Sequence, residues 1–184
     1  KFNYTFLRGD EGEEFVKPYN DYLSKETIEK YDAIVISDYC KGFLSNRDIK
    51  KICENNPNTF LDTKKVLGDF CKEAKIIKIN SPEFKRIKNK IKLEDWKDKL
   101  IVTLGEKGCM YLRGGEVPGF HYYTTDAVEV FDVSGAGDTF VAALVSRYLK
   151  VNNMDDAINF ANNRAREAVQ MRGVSVIYET EKAK

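Results

Sequence analysis

The sequence predicts an α/β fold with a largely parallel sheet, helices on both faces and a small antiparallel extension. Short β-rich runs alternate with segments of helical pattern as far as residue 104, which is typical of parallel strands joined by crossover helices. Glycines punctuate the next two runs, as in antiparallel hairpins. No repeat, low-complexity tract or Pro/Gly linker divides the 184 residues, so we expect one domain with one core.

The predicted elements of the first part follow in chain order. Four β-rich runs are predicted strands, at residues 33–37, 59–62, 75–79 and 100–104. A helix is expected over 46–54, and Ser81-Pro82-Glu83 begins another because proline is favoured at the first helical position. Residues 3–8 are a possible further strand, followed by a turn at 9–12.

The second part has two predicted hairpin strands and two helices. The glycines at 105, 108, 114, 115 and 119 delimit runs at 109–112 and 116–123. Residues 136–149 are apolar nearly all round, as expected for a buried helix. A second helix is indicated by a stripe at helical spacing, formed by Ala157, Phe160, Ala161, Ala165 and Ala168. A last strand is predicted at 174–178.

Composition excludes several classes of partner. Lys and Arg number 30 against 29 Asp and Glu. The resulting net charge of +1 is too small to favour binding to nucleic acid or to an anionic membrane. The apolar runs are too short to span a bilayer and residues 1–4 begin no signal peptide, so we expect a cytoplasmic location. The chain has four cysteines, no two of them in a CxxC pair, and one histidine, His121. Their spacing does not match the usual Cys/His zinc sites, so we expect reduced cysteines that pack as small hydrophobic residues.

The strongest chemical signal is the segment DVSGAGDT at residues 132–139, directly before the predicted buried helix. Gly135, Ala136 and Gly137 have little or no side chain, so their N–H groups can approach a ligand at a helix N-terminus that favours anions. Asp138 places a carboxylate beside that anion hole, as phosphoryl transfer to a hydroxyl requires. The residues alone leave open a Gly-rich turn in which Asp138 caps the helix.

Further segments stand with this one in a consistent order. They are NSPE at 80–83, VTLGEKG at 102–108, ISDYCKG at 36–42 and LDTK at 61–64. Together with 132–139 they resemble the ribokinase, or PfkB, family of carbohydrate kinases. The segments at 36–42 and 61–64 resemble S-D-Y-x-K-G and D-P-K of its D-glycero-D-manno-heptose-7-phosphate kinase branch. The resemblance runs from about the first strand to the C-terminus and implies a ribokinase-like fold.

The resemblance also implies a role for each motif residue, with ATP and Mg²⁺ as cofactors. Asp138 becomes the catalytic base, next to an anion hole for the γ-phosphoryl group formed by Gly135, Ala136 and Gly137. Asn80 and Glu83 become organisers of Mg²⁺ through water. The implied ATP and phosphate contacts are Lys64, Thr103, Gly105 and Gly108. Asp38 would line the substrate side.

Four of these residues have a purely structural alternative that the sequence leaves open. Asn80 and Glu83 fit an ordinary helix start, in which the glutamate favours the helix dipole. Lys64 fits a solvated surface lysine. Asp38 fits a strand-end carboxylate that is satisfied by nearby backbone N–H groups.

The sequence also departs from the family. The N-terminal part of the fold, with its Gly-Gly sugar contact and most of its lid, is not recognisable: residues 1–20 fit lid or edge strands, and 30–184 fit the catalytic ATP-binding core. We expect an exposed sheet edge and therefore a homo-oligomer. In the penultimate helix, where heptose kinase relatives have small residues, this chain has Asn163, Arg164, Arg166 and Glu167. These side chains are expected to alter the helix packing or the nucleotide pocket.

The function expected from the sequence is ATP-dependent phosphorylation of a sugar or sugar-phosphate hydroxyl, with Asp138 as the base. Heptose 7-phosphate is the first choice of acceptor, and ribose, fructose or a related sugar stays open. The alternative is a non-catalytic remnant of a sugar kinase that binds a nucleotide or a partner protein. The base residue favours the first hypothesis, because a protein that only binds nucleotide has no need of one, whereas the unrecognised N-terminal half of the fold favours the second.

Overall fold

The computed structural model of this chain describes residues 4–8 and 23–171. The predicted turn at 9–12 and the predicted last strand at 174–178 lie outside the described residues.

In the described residues, seven strands form one sheet, and their order across the sheet is their order along the chain. They are β1 (Tyr4–Arg8), β2 (Ala33–Asp38), β3 (Thr59–Thr63), β4 (Ile76–Asn80), β5 (Leu100–Thr103), β6 (Cys109–Arg113) and β7 (Gly119–Tyr123). Strands β1 to β5 pair in parallel, whereas β6 and β7 pair antiparallel. The predicted parallel sheet with a small antiparallel extension is therefore confirmed.

One strand boundary differs clearly from its prediction. Strand β7 begins at Gly119 instead of residue 116. Pro118 directly precedes it, and proline has no N–H to donate to a strand ladder. The glycines at 114 and 115 and this proline together make a longer hairpin loop than the sequence pattern suggested.

Five α-helices accompany the sheet in the described residues. They are α1 (Lys25–Glu29), α2 (Asn46–Asn55), α3 (Ser81–Ile87), α4 (Ala136–Val151) and α5 (Met154–Val169). Helix α1 was not predicted, because its five residues are too few to display a helical period. Within residues 4–8 and 23–171, none of the helices is both long and apolar enough to cross a membrane.

The strand order explains why helices cover both faces of the sheet. Because parallel crossovers are right-handed in nearly all proteins, strands added always in the same direction place their connecting helices on one face. On that face, Ile34 and Ile36 of β2 share a buried cluster with Ile49 and Ile52 of α2. The opposite face is left to the two C-terminal helices.

That second face has its own buried cluster. Its strand members are Ala33, Val35, Phe60, Ile76, Ile101, Cys109 and Tyr111, and its helix members include Phe140, Val141, Leu144, Ala157, Ile158 and Ala161. Successive β2 residues alternate between the two clusters, as the pleat of a strand requires. Helix α4 thus lies in the core, as its composition predicted.

All four cysteines are free thiols, and three of them are buried. Burial raises the pKa of Cys53 and of Cys109 to about 12 and that of Cys71 to about 11. A raised pKa lowers the fraction of reactive thiolate. These three cysteines therefore act as packed core residues, and Cys40 is the exposed one.

Candidate active site

Two neighbouring cavities border the carboxyl ends of the parallel strands and the start of α4. The larger has a volume of about 590 Å³ and the smaller about 200 Å³. Lys78, Asn80 and Gly137 line both of them. Ligands of open α/β sheets bind outside the carboxyl ends of the strands, and here a single elongated ligand can extend from one cavity into the other.

The start of α4 is shaped by a tight turn rather than by a capping side chain. Asp132 Oδ1 accepts a hydrogen bond from the Ser134 N–H at 2.8 Å. Gly135 then takes the N-cap position with φ of +76°, a left-handed conformation that suits glycine, and no side chain hydrogen-bonds to this helix end. The Ala136 N–H donates to the Val133 carbonyl at 3.3 Å, whereas the N–H groups of Gly135 and Gly137 make no hydrogen bond within the described residues and can meet an anion.

The turn before α4 is fastened to the far end of α5. The backbone N–H groups of Phe131 and Asp132 donate to the Val169 carbonyl at 2.8 and 3.2 Å. Because that carbonyl belongs to the last residue of α5, both helices fix the position of the turn.

Asp138 lies in the first turn of α4 and is exposed. The Tyr39 hydroxyl donates to Asp138 Oδ2 at 3.4 Å, and the Lys64 ammonium lies 4.7 Å from the centre of the Tyr39 ring. All three residues line the smaller cavity. An exposed carboxylate beside open N–H groups can take a proton from a hydroxyl bound in that cavity.

A buried ion pair that the sequence analysis missed lies where the cavities meet. Lys78 of β4 is 7% exposed, and its ammonium lies 2.8 Å from Asp62 Oδ2 on β3. Burial raises the pKa of Asp62, and the charge and hydrogen bond of Lys78 offset part of that rise. A Cβ at Gly137 would lie 3.0 Å from the Lys78 ammonium, so glycine there leaves room between the cation and the helix start.

Asn80 and Glu83 form a reciprocal capping box at the start of α3. Asn80 Oδ1 accepts from the Glu83 N–H at 2.8 Å, and Glu83 Oε2 accepts from the Asn80 N–H at 2.7 Å. This geometry is the structural alternative considered for the motif. Both side chains also line the smaller cavity, and their role as organisers of a metal stays a prediction.

The donor set around the smaller cavity suits a hydrated cation. Among residues 4–8 and 23–171, no three His, Cys, Asp or Glu side chains cluster closely enough to hold a metal by themselves. Asp62, Glu83 and Asp138 nevertheless line this one cavity. Mg²⁺ keeps several waters and is bound through few carboxylates plus substrate phosphates, so these residues fit it through water.

The Asp38 carboxylate is buried and already has hydrogen-bond and ion-pair partners within the protein. Its Oδ1 accepts from the Cys40 N–H at 3.0 Å, and its Oδ2 accepts from the Thr63 hydroxyl at 3.0 Å. The Lys65 ammonium lies 3.2 Å from the same Oδ2. Asp38 lines the smaller cavity, and these partners hold the loop after β2, so its contact with a substrate stays a prediction.

The predicted nucleotide residues divide between the cavities. Thr103, Gly105 and Gly108 line the larger cavity, whereas Lys64 lines only the smaller one. A Cβ at Gly108 would lie 2.1 Å from the Tyr123 carbonyl oxygen, which no side chain could tolerate. Gly108 is therefore required by the close approach of the β6–β7 hairpin, whatever else it contacts.

One face of α5 forms a wall of the larger cavity. Its residues are Asn162, Ala165, Arg166 and Val169, at the i, i+3, i+4 and i+7 positions that share a helix face. Of the four unusual residues in this helix, only Arg166 lies in that wall. Arg164 stacks 4.9 Å from the Phe160 ring centre and pairs with Glu167 at 2.6 Å.

Comparison with known families agrees with this geometry. The model of the pfkB family carbohydrate kinases matches residues 14–181. The chain belongs to the pfkB family. Among curated pfkB relatives, it is 34% identical over 177 residues to the bifunctional protein HldE of Marinomonas sp. (strain MWYL1), which covers 86% of this chain and 37% of that protein. HldE of Pasteurella multocida (strain Pm70) is 31% identical over 193 residues, 95% of this chain and 40% of that protein.

Solved structures show the ribokinase-like fold. Ribokinase of Thermotoga maritima superposes with a TM-score of 0.66 at 18% identity, over 82% of this chain and 56% of that one. Arabidopsis thaliana ribokinase complexed with ribose and ATP gives a TM-score of 0.65 at 20% identity, over 84% and 54%. This pfkB chain therefore spans about half the length of those structures, and less of the curated relatives.

Proposed function

We propose that this chain transfers the γ-phosphoryl group of ATP to a hydroxyl of a sugar or sugar phosphate. The observation that carries the proposal is the uncapped start of α4, with Asp138 in its first turn and Lys78 beside it. A helix end without a cap, a cation and an exposed carboxylate at the junction of two cavities are the groups that phosphoryl transfer needs.

The two cavities suit the two substrates. The larger is lined mostly by apolar side chains, as expected for a nucleobase and ribose. The smaller is lined by charged and polar groups including Asp62, Lys64 and Asp138, which suits a hydroxyl-rich acceptor. The triphosphate would then lie across Lys78 and Gly137, two of the three residues that both cavities share.

Asp138 acts as the general base in this proposal. The acceptor hydroxyl loses its proton to the Asp138 carboxylate while its oxygen attacks the γ-phosphorus, and the bond from phosphorus to the β–γ bridging oxygen breaks to release ADP. The hydroxyl of Tyr39 lies 3.4 Å from Asp138 Oδ2, a long hydrogen bond that favours one orientation of the exposed carboxylate and leaves Oδ1 available to accept the proton.

The developing charge on the phosphoryl oxygens is stabilised by two kinds of donor. The N–H groups at Gly135, Ala136 and Gly137 would form the anion hole, with that of Ala136 shared with the Val133 carbonyl at 3.3 Å, and the Lys78 ammonium lies next to Gly137. Mg²⁺, held through water by Asn80 and Glu83, would neutralise charge on the phosphates. Asp62 keeps the Lys78 ammonium in place at 2.8 Å.

A heptose 7-phosphate is the acceptor that we place first. This choice rests on residues 36–42 and 61–64, which resemble segments of the heptose kinase branch. In the structure the two segments meet, because Asp38 at the end of β2 accepts from Thr63 at the end of β3. Lys64 is exposed at the smaller cavity and is the cation proposed to contact a phosphate of the acceptor.

The test is ADP release by the full chain with MgATP and a panel of sugars and sugar phosphates that includes heptose 7-phosphate. We expect acceptor-dependent turnover that falls by about a hundredfold or more in Asp138→Asn, the usual scale for loss of a general base. Asp69→Asn is the matched control, because Asp69 is an exposed carboxylate outside both cavities. Since we also propose a homo-oligomer, turnover is measured over a range of chain concentrations.

Two results would contradict this proposal. Equal turnover in Asp138→Asn and Asp69→Asn would exclude Asp138 as the base. Failure of the folded chain to bind MgADP or MgATP in calorimetry would exclude the nucleotide site itself. Nucleotide binding without turnover on any acceptor would favour the non-catalytic alternative.

A further inference from the structure

Residues 124–130, which we call the strap, run along the larger cavity between β7 and the turn before α4 and belong to no helix or strand. Five of them line that cavity, namely Thr125, Asp126, Ala127, Val128 and Val130. None of the seven residues is buried as a whole, and they make no backbone hydrogen bond within the described part of the chain. A segment with few buried contacts and no paired backbone opens at a low cost in free energy.

Helix α5 holds both ends of the strap. Before it, the Tyr123 carbonyl accepts a hydrogen bond from the side-chain amide of the buried Asn162 at 3.0 Å. After it, the N–H groups of Phe131 and Asp132 donate to the Val169 carbonyl at 2.8 and 3.2 Å. The ends are therefore fixed points, and any opening of this segment is confined to the residues between them.

Within the described ranges, a single ion pair fastens the strap between its ends. Arg166 Nη1 donates to Asp126 Oδ2 at 2.7 Å. Arg166 belongs to the α5 wall and Asp126 to the strap, so the pair joins two parts of the cavity lining. The Asp126 side chain is 89% exposed and that of Arg166 is 27% exposed. The pair thus faces solvent at the edge of the cavity, and exposed ion pairs are weak enough to break and re-form.

We propose that the strap is a gate of the larger cavity and that the Arg166–Asp126 ion pair is its latch. Release of the latch lets residues 124–130 move outward between their fixed ends, and closure returns Val128 and Val130 to the cavity wall. This inference rests on the proposed function, which places the nucleotide in that cavity. It concerns how fast the nucleotide enters and leaves, and it adds no group to the phosphoryl-transfer site.

A gate differs from a direct ligand contact in its effect on rates and affinity. Nη1 of Arg166 is committed to Asp126, and apolar groups such as Leu104, Phe140 and Ala165 supply most of the surface that buries a base. The latch is proposed to form with and without bound nucleotide. A latch that must open for passage in either direction slows association and dissociation by the same factor, so the dissociation constant stays the same.

The chain offers a matched control for each partner of the latch. Glu129 is an exposed carboxylate of the strap that does not line the cavity, so Glu129→Ala removes the same charge as Asp126→Ala without breaking the latch. Arg164 lies on α5, pairs with Glu167 at 2.6 Å and also lies outside the cavity lining. Arg164→Met therefore removes the same charge from α5 as Arg166→Met.

The experiment measures association and dissociation rate constants by stopped-flow fluorescence, with the full chain and MgADP that carries a fluorophore on its ribose. In Asp126→Ala and in Arg166→Met we expect both rate constants to rise about threefold, the scale of an exposed ion pair, while the dissociation constant changes less than about twofold. Glu129→Ala and Arg164→Met should keep the rates of the unaltered chain. The double variant of Asp126 and Arg166 should be no faster than either single variant, because both remove one latch.

Ionic strength provides an independent measurement of the same latch. Salt screens an exposed ion pair, so dissociation of MgADP from the unaltered chain should become faster as salt is raised. The same series with Asp126→Ala contains the salt dependence of the phosphate contacts but not that of the latch. The unaltered chain should therefore show the steeper dependence, and identical slopes would contradict the gate.

The outcomes separate this inference from the proposed function. Equal rate constants in Asp126→Ala and Glu129→Ala would overturn the gate and leave the proposed function intact. A weaker affinity of Arg166→Met with unchanged association would make Arg166 a direct nucleotide contact and would also overturn the gate. Failure of the folded chain to bind MgADP would overturn both. If Arg166→Met fails to fold, Asp126→Ala carries the test, because it alters a side chain that is 89% exposed.

Discussion

Helices α3 and α4 begin beside the same smaller cavity, yet their first turns are built in opposite ways. At α3, Asn80 and Glu83 close a reciprocal capping box. At α4, Gly135 has φ of +76° and no side chain hydrogen-bonds to the helix end. The first helix pairs N–H groups of its first turn with its own side chains, whereas the second has no side-chain cap, as the proposed phosphate site requires.

The other helices follow the pattern of α3. The N-cap side chains of α1, α2 and α5 all accept a backbone N–H, and these residues are Ser24, Ser45 and Asn153. Among the α-helices in the described ranges, α4 alone lacks such a cap. A capped start secures the fold, whereas the uncapped start, combined with Lys78 and Asp138, is where the proposed chemistry is concentrated.

Closing the start of α4 should have the largest effect on this contrast. Gly135→Asp places a carboxylate among the open N–H groups, where it competes with phosphate and repels it. We expect the dissociation constant for MgADP to rise about tenfold or more, measured by calorimetry.

Gly115→Asp is the control, because both glycines have positive φ and space for a Cβ. Gly115 lies in the β6–β7 loop, outside both cavities. The two variants should lose similar amounts of unfolding free energy, because both place an aspartate in the left-handed conformation. Aspartate and asparagine are the non-glycine residues that tolerate this conformation best. Equal nucleotide affinity in both variants would mean that the uncapped turn is not the phosphate site.

Opening the start of α3 should have an intermediate effect. Asn80→Ala removes an N-cap and should lower the free energy of unfolding by about 1 kcal/mol in urea denaturation. Ser45→Ala removes the corresponding cap of α2, which has the same capping-box geometry, and should cost a similar amount.

The two cap variants should differ in ligand binding. Only Asn80 lines the cavities, so Asn80→Ala should weaken the Mg²⁺ dependence of nucleotide binding while Ser45→Ala does not. Identical Mg²⁺ dependence in the two variants would restrict Asn80 to its capping role.

The smallest expected effect concerns the capped start of α5. Arg147 hydrogen-bonds to Asp156 in the first turn and lowers the pKa of that carboxyl. A lowered folded-state pKa stabilises the protein above the unfolded value of about 4, and this stability is lost as the pH falls through the folded value. For a largely solvated pair we expect about 0.5 kcal/mol.

This pH dependence is measured as the difference in unfolding free energy between the unaltered chain and Asp156→Asn. The difference should be present at pH 6 to 7 and shrink as the pH is lowered below about 4. A difference that does not change with pH would show that Asp156 acts through packing rather than through its charge.

Much of the fold was predictable because its signals are local. The β-rich runs of β2 to β5 and the apolar composition of α4 are each contained in a few consecutive residues. The motif residues at 80–83 and 132–139 were likewise found from sequence, and the structure brings them to one edge of the sheet. Their catalytic and binding roles stay predictions.

The features that could not be predicted from the sequence depend on how strands and helices pack against each other. Lys78 and Asp62 are direct neighbours only because β3 and β4 pair in that register, which no local pattern states. A lysine within the apolar run of β4 was the signal available. Similarly, the sequence marked four unusual residues in α5, but only the orientation of that helix selects Arg166 as the one in the cavity wall.

The sequential order of the strands has a consequence for synthesis of the chain. Strands and crossover helices can assemble one after another as they emerge, because each strand pairs with its predecessor. In the described part of the chain, the helices that cover the second face of the sheet, with Val35, Phe60 and Ile101, are α4 and α5. A nascent chain therefore displays an apolar surface until these two helices follow, and the turn proposed to bind phosphate forms at the same late stage at which this surface is covered.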